Sequence, residues 1–202
     1  MEKPDTRLES FSDGVFAIAL TLLIIDVKIP NLHSISSTAE MWQALKDIAP
    51  VSTAFLMSFA IILITWVNHH RSMKLLNTIS YSFIYANGFL LLTVVIMPFP
   101  TTVLGETLFT NHASPGVMLY SAINALQAFA WFVAARVAVK DGLAKNDVSL
   151  ESMKKNSFAA LYSIGIYAVL FVLAIWFPLA IAIVISLLWI VWLVYGLNIK
   201  HE

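Results

Sequence analysis

Residues 7 to 30 read RLESFSDGVFAIALTLLIIDVKIP, in which an arginine and a compact Phe-Ser-Asp-Gly cluster come directly before a short apolar helix. Asp13 stands at the start of the apolar stretch and Asp26 at its end. Charged side chains are costly inside a membrane and usually face protein or water there. The segment is therefore too polar for a simple lipid-facing anchor. We expect the first helix to line a space formed by protein or filled with water.

The composition of the whole chain is that of a membrane protein. Hydrophobic residues make up 59% of the 202 residues and charged residues only 12%, about half the charged fraction of an ordinary soluble domain. The net charge of zero and the lack of a block of like charge argue against a nucleic-acid partner. With no cysteine, the chain can form neither disulfides nor thiolate sites. Residues 1 to 12 carry five charges and no apolar run, so we expect no cleavable signal peptide.

Six hydrophobic stretches predict an all-α, polytopic fold, with residues 1–202 forming a single six-helix transmembrane domain. Each stretch is close to the ~20 residues that a helix needs to cross the hydrocarbon. The predicted spans are Leu8 to Ile29, Val51 to His70, Tyr81 to Val103, Gly116 to Val139, Phe158 to Phe177 and Leu179 to Leu197.

Prolines mark where several of these spans begin or end. Pro50 and Pro115 stand where helices start, a position that tolerates the missing amide hydrogen. Pro98 and Pro100 are expected to kink or end the third span. Pro178 lies between two apolar runs with no charge nearby, which predicts a tight hairpin between the fifth and sixth spans.

Two polar segments connect spans on the same predicted side. Ser37 to Ile48 has mixed polarity and a capping box formed by Ser37 and Glu40, which indicates a short interfacial helix before the second span. Thr101 to Ser114 is also polar, and we expect it to be a solvated connection.

Basic residues are distributed very unevenly between the two sides of the predicted topology. If six helices alternate, ten basic residues fall on one side and only Lys28 and Lys46 on the other, which places both termini in the cytoplasm. The ten are Lys3, Arg7, Arg71, Lys74, Arg136, Lys140, Lys145, Lys154, Lys155 and Lys200.

A helical projection separates two faces of the first span. One face carries the segment's only glycine and only threonine among large apolar residues, and Asp13 points roughly the opposite way, toward neighbouring helices. An aliphatic stripe at this spacing ordinarily indicates core packing, so periodicity alone favours packing over a pore lining. The stripe comprises Phe11, Gly14, Ile18, Thr21, Leu22, Ile25 and Ile29.

The polar residues offer a structural network rather than a catalytic or metal site. His69 and His70 are adjacent, about 100° apart on a helix, and lack the third ligand that zinc requires. We therefore expect a histidine hydrogen-bonded to Asp13 or Arg7 across a helix interface. No nucleophile frame, P-loop or dinucleotide fingerprint occurs, so the sequence predicts no enzyme and no cofactor.

Arg7, Phe11, Ser12, Asp13 and Gly14 give the pattern R-x-x-x-F-S-D-G at the start of the first helix. This pattern resembles the transmembrane protein 175 family of potassium channels in its single-repeat prokaryotic form. The resemblance covers the chain in topology and is sharp in sequence over Arg7 to Ile25 and, less so, Trp66 to His70.

The resemblance implies a homotetramer in a prokaryotic plasma membrane, with potassium as the permeant ion and the first helix of each subunit lining a central pore. It implies a constriction of aliphatic rings at Ile18, Leu22 and Ile25, and a potassium preference supported by the Thr21 hydroxyl. It also implies that the motif residues form a network with the second span. The residues of that network are Arg7, Phe11, Ser12, Asp13, Gly14, Trp66 and one of His69 and His70.

Two other functions remain open on the sequence. Asp13, His69 and His70 are titratable groups at membrane depth, as a proton-conducting channel or transporter needs. A non-conducting membrane scaffold also requires no more than six helices without catalytic residues.

Overall fold

The computed structural model describes residues 4–28 and 35–198, in which the chain is entirely helical apart from short connections. Eight α-helices are present in these ranges, and a 3₁₀ turn, Leu23–Asp26, continues the first of them. The helices are α1 Pro4–Leu22, α2 Thr38–Asp47, α3 Ala49–Lys74, α4 Tyr81–Ile96, α5 Pro98–Thr107, α6 Ala113–Lys140, α7 Asp147–Leu173 and α8 Pro178–Asn198.

Five helical stretches are long and apolar enough to cross a membrane, so the chain is a multi-pass membrane protein. The first predicted span differs in its limits, because α1 begins at Pro4 and its α-helical pitch ends at Leu22. Ile29 lies outside the described residues. The apolar stretch Pro178–Val194 within α8 is shorter than the other five, and the sixth span therefore stays a prediction.

The proline positions agree with the breaks between helices. Pro50 lies in the first turn of α3, and Pro98 starts α5 directly after α4 has ended. Four residues separate the end of α7 from Pro178, the first residue of α8, which gives the tight connection expected there. α6 begins two residues before Pro115, still within the first turn.

The expectation of a solvated connection from Thr101 to Ser114 is wrong for its first half. α5 covers this part of the chain, and Thr101 and Leu104 are buried. Thr101 Oγ1 lies 2.6 Å from Ser58 Oγ on α3. Gly105 permits this close approach, since a Cβ there would lie 2.8 Å from the Val51 Cα. The prolines start a new helix whose apolar side returns to the core, whereas Phe109 beyond it is exposed.

The interfacial segment forms α2, which has no buried residue. Ser37 caps it by accepting a hydrogen bond from the Glu40 backbone N–H at 3.2 Å. The Glu40 carboxylate returns to the backbone N–H of Ser36 at 2.8 Å rather than to Ser37. This backbone bond and a second bond from the Ser36 hydroxyl lower the pKa of Glu40, because both stabilise the charged carboxylate.

The main hydrophobic core contains residues of every helix except α2, and it fixes the position of α1. Phe16, Ala19 and Leu23 of the first helical segment are at most 1% exposed and belong to this core. They pack with residues that include Ile62 of α3 and Val94 of α4. The first helix is therefore held from one side by the body of the subunit.

Candidate ion pathway along the first helix

The first helix is buried on one narrow stripe, partly buried beside it and exposed on the opposite side. The buried residues follow one another at spacings of four, three and four residues, the pattern of one helical face. They are Ser12, Phe16, Ala19 and Leu23. The apolar stripe that the sequence predicts as a second face lies outside this buried set, so α1 presents it away from the subunit.

The three predicted constriction residues all lie on the exposed surface. Ile18 is 61% exposed, Leu22 40% and Ile25 66%. Ile25 lies in the 3₁₀ turn, where residues three apart come to the same face, so it stays aligned with Leu22. Phe11 of the motif is 63% exposed on the same helix. Within one subunit these side chains have no core to fill.

Thr21 is exposed too, and the orientation of its hydroxyl is specific. Its Oγ1 donates a hydrogen bond to the carbonyl of Ile18 at 2.9 Å. Since the hydroxyl proton is used in this bond, the oxygen lone pairs are left to accept from water or to contact a cation. The side chain therefore offers a neutral oxygen ligand on an otherwise aliphatic surface.

Packing within the subunit does not explain why residue 14 is a glycine. A Cβ built there meets no atom within 4 Å. The small residue keeps the exposed face of α1 narrow one turn before Ile18. Its neighbour Ser12 is instead fully buried, which shows how sharply the two faces divide.

Asp13 is joined to α3 through a single strong contact. The Trp66 indole Nε1–H donates to Asp13 Oδ1 at 2.8 Å. Asp13 is half-buried and points away from the exposed aliphatic face. Arg7 is exposed, and its guanidinium makes no hydrogen bond or ion pair to the other residues that the structure describes. An Arg7 contact with Asp13 or the α3 histidines is thus absent from the described part of the subunit.

His69 belongs to a buried chain of hydrogen bonds that crosses three helices. Its Nε2 lies 2.7 Å from Asn87 Oδ1 of α4, and Asn87 Nδ2 donates to Ser12 Oγ at 3.0 Å. Ser12 then donates to the Leu8 carbonyl at 2.8 Å. The hydroxyl proton of Ser12 is already donated to the Leu8 carbonyl, so Ser12 Oγ can only accept from Asn87. The Asn87 amide therefore directs its nitrogen to Ser12 and its oxygen to His69, whose Nε2 carries the hydrogen.

His70 points to a different partner. Its Nδ1 lies 2.9 Å from Glu9 Oε1 of α1, an ion pair when the imidazole is protonated. Its ring also stacks on Trp66 at 6.2 Å between centroids. The two histidines therefore divide their contacts: His69 links α3 to α4 and, through Asn87, to Ser12, whereas His70 meets Glu9 directly.

Asn87 and Glu9 are the members of these contacts that the sequence analysis did not single out. Asn87 is only 2% exposed and lies in the middle of an otherwise apolar span. A polar side chain at such a depth usually indicates a contact between helices, and this signal predicts such a contact for Asn87 from the sequence alone. The described residues contain no group of three His, Cys, Asp or Glu side chains able to hold a metal ion.

Comparisons with known proteins show which chains this one is similar to. Residues 7–98 match the family described as endosomal/lysosomal potassium channel TMEM175. A potassium channel of Chamaesiphon minutus is 45% identical over 117 residues, which are 58% of this chain and 57% of that protein. The aligned region thus spans little more than half of that relative. A human endosomal/lysosomal proton channel TMEM175 is 37% identical over 93 residues, 39% of this chain and 18% of that protein.

A solved structure extends the similarity to nearly the whole chain. The crystal structure of a lysosomal potassium-selective channel TMEM175 homolog from Chamaesiphon minutus superimposes with a TM-score of 0.84 at 33% sequence identity. The match covers 95% of this chain and 97% of that one. Identity at this level over almost the full length of both chains, with the motif in the matched region, makes this chain a member of the TMEM175 family.

Proposed function

We propose that the chain is one subunit of a homotetrameric, moderately potassium-selective cation channel whose pore is lined by α1. The observation that carries the proposal is the exposure of Ile18, Leu22 and Ile25 on a helix whose opposite face is fixed in the core. The name of the Chamaesiphon relative, a potassium-selective channel, supports potassium as the permeant ion.

The exposed face of α1 suits a pore better than a lipid contact. A purely lipid-facing helix gains nothing from a hydroxyl or from a missing side chain, whereas this face contains Thr21 and Gly14. Four copies around a central axis would turn each residue into a ring. Small and polar residues are also those that let helices approach closely in a membrane.

The aliphatic rings are assigned the role of a gate. Isoleucine and leucine offer no oxygen to replace the water around potassium, so a narrow ring of Ile18 closes the pathway by excluding water. Leu22 and Ile25 extend the apolar constriction for about two further turns. The rings alone cannot discriminate between cations by coordination.

Thr21 is assigned the potassium preference. Four hydroxyl oxygens with free lone pairs, one turn beyond Ile18, can substitute for part of the hydration shell of a large, weakly hydrated cation. Neutral oxygens at one ring give moderate rather than strict selectivity.

The contacts behind α1 are assigned to assembly and position. Asp13 with Trp66, and His69 with Asn87 and Ser12, tie the pore helix to α3 and α4. Phe11 and Gly14 of the motif lie on the exposed side of α1, and Arg7 is exposed as well. We assign the chain to a prokaryotic plasma membrane with both termini in the cytoplasm, an orientation that the bias of basic residues supports.

A flux assay on the purified full-length chain tests the proposal. Liposomes with an outward potassium gradient should take up a voltage-sensitive dye cation when protein is present, because potassium efflux leaves the interior negative. The same liposomes with a sodium gradient should respond more weakly. A folded protein that passes neither ion would support a membrane scaffold instead.

Proton conduction is the second candidate, favoured by the described proton-channel activity of the human relative and by the buried chain from His69 to Ser12. Flux that follows an imposed pH gradient and persists after potassium is removed would identify it. Loss of flux on removing potassium identifies the potassium channel.

A further inference from the structure

A cavity of about 210 Å³ lies within the subunit, between α3, α6, α7 and α8. It is on the far side of α3 from the first helix, and no residue of α1 lines it. The channel function proposed above makes no use of this space, and a ligand bound there is independent of that function.

The cavity is lined by hydrogen-bond donors that the protein does not satisfy. Gln127 is 94% buried, and its Nε2 has no acceptor among the described residues. Two further buried nitrogens of lining residues, Arg71 Nη1 and Trp189 Nε1, also have no acceptor among the described residues. A buried donor without an acceptor costs about 1–3 kcal/mol, and more when it is charged. A ligand oxygen near Gln127 and Arg71 would supply the acceptor that both side chains lack.

The charge of the lining points to an anion. Arg71 is the one ionic side chain among the lining residues, and the lining contains neither aspartate nor glutamate. Ser149, in the first turn of α7, brings the positive end of that helix to the same wall. The cavity therefore has a positive end, where Arg71 of α3 meets the first turn of α7.

The lining away from Arg71 contains apolar and aromatic side chains beside polar ones such as Asn124 and Ser163. Ile61 lies ten residues before Arg71 on α3, about 15 Å along the helix. Trp131, Trp189 and Trp192 contribute aromatic wall. An engineered cavity of about 150 Å³ holds one benzene molecule, so this volume accommodates a phosphate group and a few carbons but not a whole phospholipid.

We propose that this cavity binds the phosphate headgroup of an anionic membrane lipid, with the phosphate at Arg71 and Gln127 and the first carbons toward Trp189. Basic pockets between transmembrane helices bind such headgroups. A lipid fits better than free phosphate, because the tryptophan wall contributes nothing to a small, fully hydrated anion.

Tryptophan fluorescence of the full-length protein tests the proposal, since half of the chain's six tryptophans line the cavity. Phosphatidylglycerol with brominated chains, which quench nearby indoles, is titrated into phosphatidylcholine vesicles holding the protein, and brominated phosphatidylcholine is the reference. Wild type should prefer phosphatidylglycerol about fivefold, the factor that corresponds to ~1 kcal/mol per basic residue.

Matched variants separate the cavity from general surface charge. Arg71→Gln should remove the preference, whereas Lys74→Gln, one turn further on α3 and exposed, should retain it. Gln127→Leu keeps the side-chain volume but deletes the amide donor, and it should at least halve the preference for phosphatidylglycerol. This second variant keeps the test decisive if Arg71→Gln does not fold. Equal effects of Arg71→Gln and Lys74→Gln, or no preference in wild type, would overturn the site. Removal of the preference by millimolar inorganic phosphate would overturn the lipid as its occupant.

Discussion

The hydrogen bonds of Asn87 provide a sharp test of how the first helix is held. Asn87→Leu keeps the size of the side chain but deletes the amide that joins His69 of α3 to Ser12 of α1. Both partners are almost completely buried, His69 at 2% and Ser12 at 0% exposure, so water cannot replace the lost bonds. We expect the variant to loosen α1 from the body of the subunit.

The magnitude follows from the two bonds that disappear. An interhelical hydrogen bond in a membrane protein contributes ~0.6 kcal/mol on average, which sets a floor of ~1 kcal/mol for the pair. The His69 Nε2–H is left without an acceptor, at about 1–3 kcal/mol, whereas Ser12 keeps its bond to Leu8. The free energy of unfolding should therefore fall by about 1–4 kcal/mol.

Unfolding of the purified protein in mixed micelles, followed by tryptophan fluorescence, measures the change. Thr93→Val is the matched control, because Thr93 is fully buried on the same helix and its hydroxyl bonds only to the Leu90 carbonyl of α4 itself. The control should lose less than ~1 kcal/mol. If Asn87→Leu is no less stable than Thr93→Val, the amide does not secure α1 and the reasoning fails.

Three further predictions concern α1 itself. Ile18→Asn should wet the constriction and increase cation leak in liposomes, and a leak no greater than wild type would move the gate elsewhere. Thr21→Val deletes the hydroxyl, so the reversal potential between potassium and sodium should shift toward zero, and because the side-chain shape is kept, assembly should stay intact. An unchanged reversal potential would exclude the hydroxyl as the source of the potassium preference. Asp13→Ala leaves the Trp66 N–H without its acceptor and should cost about 1–3 kcal/mol of stability in micelles before it changes selectivity. A stable Asp13→Ala channel with altered ion preference would show that the carboxylate faces the ions.

Much of the fold could be predicted because hydropathy and proline positions act locally. The helix break at Pro98 within the third span and the capping of α2 by Ser37 both follow from short-range chemistry. The prediction of a solvated connection from Thr101 to Ser114 is wrong in its first half, because the polarity of the segment suggested solvent. Hydroxyls within a helix bond to their own backbone or to buried partners, as Thr101 does with Ser58, so polarity there does not require exposure.

Periodicity also predicts the two faces of α1, but it does not predict the hydrogen-bond partner of each polar side chain. The sequence left open which of His69 and His70 joins the network of Arg7 and Asp13, because adjacent residues on a helix differ only in direction. The structure directs His69 to Asn87 and His70 to Glu9, through contacts between residues far apart in the chain. Such pairings depend on how α3 rotates against its neighbours, which tertiary packing determines.

Cysteine accessibility tests most directly whether α1 lines the pathway of the ions. The chain has no cysteine of its own, so a single introduced thiol is the sole target of a charged methanethiosulfonate reagent. Leu22→Cys lies on the exposed face of α1, and Ile183→Cys is a control of greater exposure, 61% against 40%, on α8. If α1 lines the pore, the reagent should block potassium current through Leu22→Cys channels and leave Ile183→Cys channels unchanged. Undiminished current through fully modified Leu22→Cys protein would contradict the proposed pathway.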